Sequence, residues 1–367
     1  MFKKKNKNSK KMSLKKKIAL VLGSIVAIIA LSFGGLLLYV RQMTHVNAND
    51  VPKYVDEKGK EISLEDVPTQ DPIYTEQEGI TNILLIGTDG RDEKEAARSD
   101  SIIIATIDAN NKKIRFTAIQ RDTYVDIPKY KPAKINEAYQ LGGPDLLLKT
   151  IETNFRIKLD NYIIVNFWGF QDIIDAVGGV DIDVKDSEVK EINKYIGEVD
   201  KVKSPPLTHG GTQHLDGQQA LAYSRIRYVG NGTYERMERQ EQVLTVLLNK
   251  FKTMTSLQYT NLATKLLKCV KTNMEPTTLL NDAYTVSKFG GINVEKLSIP
   301  LDKISWGGMY KGAWYLLVDK DQNAKVLNDF VYKDITPDDS KLDVSAFKSV
   351  LRKYFNDAGE EMPKLDN

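Results

Sequence analysis

The longest uncharged segment constrains this chain more than any other feature. It runs from Ile18 to Val40, 23 residues without a charged side chain, and about 20 apolar residues cross a bilayer as an α-helix. Nine lysines and no acidic residue precede it. Because lysine-rich flanks stay in the cytoplasm, we predict a cytoplasmic tail over 1–17, a transmembrane helix over 18–40 and export of the chain from Arg41 onward.

A cleaved secretory signal is the rival explanation of this segment. Val46-Asn47-Ala48 faintly resembles a cleavage site, but the apolar region of a signal peptide is usually about 7–15 residues long. An uncleaved anchor is therefore favoured. It predicts a single-pass protein of the cell membrane with an extracytoplasmic C-terminal domain.

The charge balance of the exported part excludes one class of partner. Without the nine lysines of the tail, the formal charge of +3 becomes 43 basic against 49 acidic residues, a net of −6. A nucleic-acid-binding domain needs a basic face, so no nucleic acid is expected. One cysteine, Cys269, allows no internal disulfide, and three histidines make a zinc site unexpected.

The hydrophobic pattern predicts an α/β fold with a mixed, largely antiparallel central sheet flanked by helices. We divide the exported part into a stalk over 41–80, a catalytic core over 81–255, a further part over 256–335 and a polar tail over 336–367. Strands are predicted at 82–87, 101–107, 113–119, 161–167, 180–184, 222–228 and 294–299. Helices are predicted at 137–140, 144–155, 168–177, 217–221, 235–254, 257–270 and 276–289.

Charged residues flank the first three predicted strands. The turn over 108–111 joins the second and third strands, which should pair antiparallel. If all three strands are antiparallel neighbours, the end of the first, the start of the second and the end of the third share one edge. That edge collects three carboxylates and three guanidinium groups: Asp89, Arg91, Arg98, Asp100, Arg121 and Asp122.

A second group of arginines follows later in the chain. Only 11 residues are arginine against 41 lysines, yet four arginines fall between 225 and 239. Arg225 and Arg227 would share one face of the strand predicted over 222–228, about 6.6 Å apart. Arg236, Arg239 and Gln240 would share a face at the start of a helix, where the helix dipole also attracts anions. Since arginine is suited to phosphate oxygens, both groups indicate phosphate binding.

Together the two groups suggest phosphoryl chemistry. Arginines would bind a pyrophosphate while carboxylates hold a divalent cation, Mg²⁺ or alternatively Mn²⁺, since Mg²⁺ prefers oxygen ligands and substrate phosphates. Both would neutralise the charge that develops on the leaving phosphate. No Ser/His/Asp arrangement indicates a covalent nucleophile.

Several motifs in this order resemble the LytR–CpsA–Psr (LCP) family over about residues 80–255. The resemblance rests on the anchor and on Asn82–Gly87, Arg98-Ser-Asp100, Gln120-Arg-Asp-Thr123, Lys134-Ile-Asn136, Gly178-Gly-Val-Asp181, Leu215–Arg227 and Arg236-Met-Glu-Arg-Gln240. It implies an LCP-like domain that transfers wall teichoic acid, capsule or a related glycopolymer from a polyprenyl (undecaprenyl) pyrophosphate carrier to peptidoglycan. The product would be a phosphodiester with a muramic acid hydroxyl.

The resemblance also implies roles for individual residues. Asp89 and Asp100 would bind Mg²⁺, and Asp122 would orient Arg121 or assist as a base. The phosphate oxygens and head group would be held by Arg98, Arg121, Lys134, Arg225, Arg227, Arg236 and Gln240.

The chain departs from the family pattern at two positions. Gln120 stands where a proline often precedes the Arg-Asp pair, and Thr233 stands where an aspartate is frequent, with Glu235 as a candidate replacement. Three rival functions stay open: a lipid-binding scaffold without catalysis, a pyrophosphatase of the lipid carrier, and a transcriptional regulator. A cytoplasmic part of 17 residues is too short to fold into a DNA reader.

Overall fold

The computed structural model describes residues 34–46, 71–89, 97–200, 202–230, 233–254, 262, 269–290 and 293–363. The chain forms two compact units, Met1–Met43 and Thr44–Asn367, and the described part of the first is helical. Within the described ranges, no helix combines the length and the apolar character needed to cross a bilayer. Most of the predicted membrane segment lies outside these ranges, and the anchor stays a prediction.

The second unit contains a six-stranded mixed sheet. The described strands are β1 (Ile80–Thr88), β2 (Ser99–Asp108), β3 (Lys113–Ile119), β4 (Tyr124–Val125), β5 (Ala133–Lys134), β6 (Asn161–Asn166), β7 (Val180–Val184), β8 (Gly211–Leu215), β9 (Val270–Thr272), β10 (Asn293–Ile299), β11 (Ser305–Tyr310) and β12 (Ala313–Val318). The strands of the six-stranded sheet lie in the order β10-β3-β2-β1-β6-β9. Three neighbouring pairs are antiparallel, β1–β2, β2–β3 and β6–β9, whereas β1–β6 and β3–β10 are parallel.

Helices cover both faces of the sheet. The described helices are α1 (Ile135–Phe155), α2 (Phe167–Ala176), α3 (Asp186–Tyr195), α4 (Gly217–Arg225), α5 (Thr233–Thr253), α6 (Pro276–Ser287), α7 (Lys320–Tyr332) and α8 (Val344–Ala358). Because side chains alternate along a strand, Ile102 and Ile104 of β2 pack in one core with α1 and α7. Ile103, between them, packs in another core with Met237 of α5. The predicted α/β fold with a mixed central sheet is confirmed.

A separate core lies beside the sheet. It joins α2, α3, α4, α5 and the two-stranded antiparallel sheet of β7 and β8 through buried residues such as Ile182, Leu215 and Val243. Asp216 begins α4 with a capping box: its side chain accepts from the Gln219 amide at 2.9 Å, and its own amide donates to the Gln219 side chain at 3.0 Å. The strand predicted over 222–228 is therefore wrong, because the capped helix continues through Arg225.

Most other predicted elements are present with small changes of boundary. The two helices predicted over 137–155 form the single element α1, which is kinked where Gly142 and Gly143 leave the helical conformation. Gly143 has a φ of 67°, a conformation that glycine adopts at little cost. The helix predicted over 257–270 lies mainly outside the described residues.

The region after 300 is more ordered than the sequence pattern suggested. β11 and β12 pair antiparallel, and the segment predicted as a polar tail contains α8. Phe347, Leu351 and Phe355 of α8 are buried against this hairpin and Tyr124. Their spacing of four residues is the signal of an amphipathic helix, although the surrounding segment is rich in charged residues.

Arg115 lies fully buried at the far end of the β2–β3 hairpin. It donates to Asp108 at 2.6 Å, Glu295 at 3.2 Å and Asp334 at 2.5 Å, and its guanidinium lies 5.8 Å from the Phe330 ring centroid. Burial acts to raise the pKa of Asp108, but the hydrogen bonds from Arg115 and Asn111 hold it below its ordinary value. This ionic cluster ties the hairpin to β10 and to the residues after α7.

Replacing Arg115 tests that cluster. We expect Arg115→Met to lower the free energy of unfolding by about 3–5 kcal/mol, because it leaves the buried Asp108 carboxylate without its cation. Urea denaturation measures the change. Arg352→Met is the matched control on the exposed side of α8, where we expect a change within about 0.5 kcal/mol. Equal losses in the two variants would contradict this account.

Candidate functional site

A cavity of about 570 Å³ opens at the edge of the sheet where β1 ends and β2 begins. Five basic and four acidic side chains are among its lining residues. The lining consists of Asp89, Ala97, Arg98, Asp100, Arg121, Asp122, Lys134, Asn136, Phe167, Trp168, Glu198, Val199, Arg225 and Arg227.

Strand register explains why these residues meet. Thr88, the last residue of β1, lies opposite Ser99 in β2 and opposite Asn166 in the parallel strand β6. The segments that carry Asp89, Arg98 and Phe167 therefore emerge at one edge. The predicted convergence of the charged residues after β1, before β2 and after β3 is confirmed. Arg91 lies outside the described residues.

Arg121 lies between two carboxylates. Its guanidinium pairs with Asp100 through Nη1 and with Asp122 at 3.4 Å through Nε. Lys134 Nζ donates to the other oxygen of Asp122 at 2.9 Å. Burial acts to raise the pKa of Asp122, but the Lys134 hydrogen bond and the Arg121 charge outweigh it and leave the pKa below its ordinary value. Asp122 is therefore an ionised carboxylate suited to orienting two cations rather than to accepting a proton.

Arg225 and Arg227 reach the cavity from the end of α4. Arg225 stacks on Phe167 and Tyr195, with its guanidinium carbon 4.6 and 5.3 Å from their ring centroids, and donates to Glu198 at 2.7 Å. The Arg227 side chain is 40% exposed and stands 3.8 Å from Asp100. Arg225 is thus fixed in place, whereas Arg227 keeps donors available for a ligand.

Arg236 of α5 is buried, within electrostatic reach of two arginines and two aspartates of the cavity wall. Its Nε atom has no hydrogen-bond partner among the described residues, and its side chain interacts with charges at the cavity wall. Burial, with repulsion from Arg121 and Arg227, lowers the pKa of Arg236 to about 10. It stays protonated at neutral pH, so the protein holds a buried positive charge without a full set of partners. Arg236 does not line the cavity, and an anion bound there would act on it by offsetting the repulsion from Arg121 and Arg227.

The structure does not bring Arg239 and Gln240 to the cavity wall. Arg239 is 3% exposed and pairs with Glu188 at 2.7 Å and Glu235 at 2.8 Å. Gln240 accepts from Ser101 at 2.9 Å and donates to the Ser224 carbonyl at 3.3 Å. Residues three and four positions after Arg236 lie on the same side of the helix, but α3 and α4 pack there and capture these side chains.

Three further residues differ from the sequence predictions in their position relative to the cavity. Glu235, considered as a replacement for the acid missing at position 233, is paired with Arg239 and does not line the cavity. Sequence reasoning missed the roles of Trp168 and Glu198 as lining residues. Trp168 could have been found because it follows β6, which ends beside β1, whereas nothing local marked Glu198.

Asp89 and Asp100 were predicted to hold a metal ion. Both carboxylates line the cavity, and Asp89 also accepts from the Arg98 amide at 3.1 Å. Among the described residues, no group of three or more His, Cys, Asp or Glu side chains is arranged to hold a metal. Two carboxylates and a bound phosphate fit Mg²⁺, which commonly binds through one or two carboxylates, substrate phosphates and water.

A family model described as "LytR_cpsA_psr family" matches residues 38–330. The chain belongs to this family. The match extends well beyond the segment of about 80–255 that carried the sequence motifs, and it ends within α7.

Two relatives of this chain have names that indicate different functions, one a transferase and the other a regulatory protein. The chain is 34% identical over 274 residues to "Polyisoprenyl-teichoic acid--peptidoglycan teichoic acid transferase TagU" of Bacillus cereus, covering 74% of this chain and 84% of TagU. It is 32% identical over 264 residues to "Regulatory protein MsrR" of Staphylococcus aureus, covering 70% of this chain and 76% of MsrR.

A solved structure of the family has a similar fold. It is described as "LytR-CPS2A-psr family protein YwtF (TagT) with bound octaprenyl pyrophosphate lipid". The TM-score is 0.55 at 25% identity, and the alignment covers 73% of this chain and 98% of that one.

The two buried arginines of α5 should respond in opposite ways to loss of charge. We expect Arg236→Met to keep or raise the free energy of unfolding, by up to about 2 kcal/mol, because it removes a buried cation without full partners. Arg239→Met should lower it by about 3–5 kcal/mol, because Glu188 loses its partner. Chemical denaturation measures both values.

The same variants separate stability from anion binding. Arg236→Met should bind inorganic pyrophosphate about tenfold more weakly, which corresponds to about 1.4 kcal/mol, because it removes a positive charge beside the cavity. Isothermal titration calorimetry is the measurement. A large loss of stability in Arg236→Met with unchanged pyrophosphate affinity would make Arg236 a structural residue instead.

Proposed function

We propose that this protein transfers an anionic glycopolymer from a polyprenyl-pyrophosphate carrier to peptidoglycan and forms a phosphodiester. The observation that carries the proposal is the cavity, whose wall brings together Arg121, Lys134, Arg225 and Arg227. The transferase name of TagU and the octaprenyl pyrophosphate bound to YwtF support the same substrate class.

The reaction is a displacement at phosphorus. The acceptor hydroxyl oxygen attacks the polymer-linked phosphorus, the bond from that phosphorus to the bridging oxygen breaks, and polyprenyl phosphate leaves. The hydroxyl proton passes to the departing phosphate, whose oxygen gains negative charge as the bond breaks. Arg225 and Arg227 hold the two phosphates, and Arg236 balances the charge that grows on the leaving group. Phosphoryl transfer with a loose transition state needs mainly positioning and charge stabilisation. Asp122, with its lowered pKa, therefore positions Arg121 and Lys134.

Mg²⁺ completes the proposed site. Asp89 and Asp100 would hold it beside the pyrophosphate, where it supplies further positive charge to the phosphate oxygens. Because Asp100 already pairs with Arg121 and approaches Arg227, it links the proposed metal position to two of the phosphate-binding arginines.

We further propose that residues 18–40 anchor the protein in the cell membrane with residues 41–367 outside. The lysine-rich tail and the long uncharged segment support this orientation. An anchored domain would meet the lipid-linked donor at the membrane surface and the peptidoglycan acceptor beyond it.

Reconstitution of the full-length protein tests the proposed transfer. In vesicles with a lipid-pyrophosphate-linked glycan, peptidoglycan oligomers and Mg²⁺, we expect a ligated product by mass spectrometry. Arg121→Ala should lower kcat/KM by roughly 10²–10³, as for loss of one donor to a transition-state oxyanion. Asp126→Asn is the control, since Asp126 is exposed, pairs with Lys320 and does not line the cavity.

The rival functions give different outcomes in this assay. Inorganic phosphate without ligated product would indicate a pyrophosphatase. Lipid binding without any product would indicate a scaffold, and in that case Asp100→Ala would spare cellular function while Arg121→Ala would not. Either result would overturn the transferase proposal.

Metal removal tests the proposed role of Asp89 and Asp100. We expect EDTA to abolish transfer and added Mg²⁺ to restore it. Asp100→Asn should raise the Mg²⁺ concentration for half-maximal activity by about tenfold, which corresponds to about 1.4 kcal/mol. Asp126→Asn should leave it unchanged, and full activity in EDTA would count against the metal.

A further inference from the structure

The C-terminal module contacts the loop that carries Arg121 and Asp122. We define the module as the β11–β12 hairpin, residues 305–318, together with α8, residues 344–358. None of its residues lines the cavity. The contacts between module and loop involve both the main chain and the side chains.

The main-chain contact is made at Asp122, which lines the cavity. The Leu316 amide donates to the Asp122 carbonyl at 3.0 Å, and Thr123 forms a parallel bridge with Leu316. On its other side, the Thr123 carbonyl accepts from the Ile135 amide at 2.9 Å. The backbone directly after Arg121 is therefore fixed between β12 and the start of α1.

A cluster of tyrosines from the module packs around Tyr124, the residue after Thr123. Tyr124 is 6% exposed, and its ring meets those of Tyr315, Tyr310 and Tyr354 edge-on at centroid distances of 5.0, 5.3 and 5.9 Å. Two further hydrogen bonds close the cluster within the module. The Tyr310 hydroxyl donates to the Tyr354 carbonyl at 3.1 Å, and the Tyr354 hydroxyl donates to the Val318 carbonyl at 3.2 Å.

Tyr315 also reaches a second partner of Asp122. Lys134 Nζ lies 5.8 Å from the Tyr315 ring centroid and donates to Asp122 at 2.9 Å. An aromatic face attracts a cation at this distance. The Tyr315 ring thus packs on Tyr124 and also lies beside Lys134, the lysine that orients the Asp122 carboxylate.

We propose that the C-terminal module positions Arg121 and Asp122 for the reaction, with Tyr315 as its main positioning residue. The proposal rests on the proposed function, because it gives these two residues a geometry that phosphoryl transfer requires. α8 begins at Val344, beyond the family match that ends at residue 330. This part of the positioning device is therefore not included in the segment that identifies the family.

Replacement of Tyr315 in the full-length protein tests the proposal. We expect Tyr315→Leu to lower kcat roughly tenfold while KM for the lipid donor changes less than about twofold, since Arg225 and Arg227 are untouched. Tyr315→Phe keeps the ring and should restore kcat. Hydrogen exchange of peptides covering residues 121–126 should become faster in Tyr315→Leu and stay normal in Tyr315→Phe.

Tyr332→Leu is the matched control. Tyr332 is a buried tyrosine of α7 that packs on Tyr74 and accepts from Asn82, so its loss tests general destabilisation. An equal fall of kcat in this variant, or normal kcat and exchange in Tyr315→Leu, would overturn the proposal. Should Tyr315→Leu not fold, Tyr354→Phe removes one hydroxyl from the same cluster and takes its place.

The exchange measurement separates the two proposals. If the wild-type protein transfers no glycan, the proposed function fails. Faster exchange of residues 121–126 in Tyr315→Leu alone would then still support a loop held by the module, and unchanged exchange would refute it.

Discussion

Burial of β2 on both faces is the constraint on which the rest of this structure depends. Ile102 and Ile104 point to one face of the sheet and Ile103 to the other, so neither face can be left in water. α1 covers the first face, and α5 covers the second. The same helix that supplies this apolar cover also carries Arg236, and its position against the sheet puts that guanidinium within electrostatic reach of the cavity.

The cavity combines charges that do not fully satisfy each other. Arg121 has Asp100 and Asp122 as partners, and Asp122 has Lys134 as well. For Arg236, burial and the charges of Arg121 and Arg227 outweigh the attraction of Asp100 and Asp122 and lower its pKa to about 10. Structural arginines of the same protein look different: Arg115 and Arg239 are equally buried but paired with carboxylates on several sides. This contrast separates a site that awaits an anion from ionic clusters that hold the fold together.

Sequence reasoning succeeded where the signal was local. β3 has the predicted boundaries, and β1, β2 and β6 differ from prediction by a few residues at most. From these strands and one turn, the meeting of Asp89, Arg98, Asp100, Arg121 and Asp122 could be predicted, because strand ends in a known pairing share an edge. Reasoning failed at 222–228, where alternating residues suggested a strand but the Asp216 cap begins a helix that packs on α2, α3 and α5. It also passed over α8, whose three buried residues lie in an otherwise charged segment.

The sequence by itself determined the α/β class, the edge where the charged residues gather, and the resemblance that indicated the family. These follow from periodicity and from motifs, which are properties of short segments. Only the tertiary structure decided that Arg236 lies within electrostatic reach of Arg121 and Arg227 while Arg239 pairs with Glu188. It also decided that β12 and α8 support the loop of Asp122. When only the sequence is considered, residues on one side of a helix are equally good candidates for a site. The elements packed around that helix decide which of these side chains pair with other residues instead.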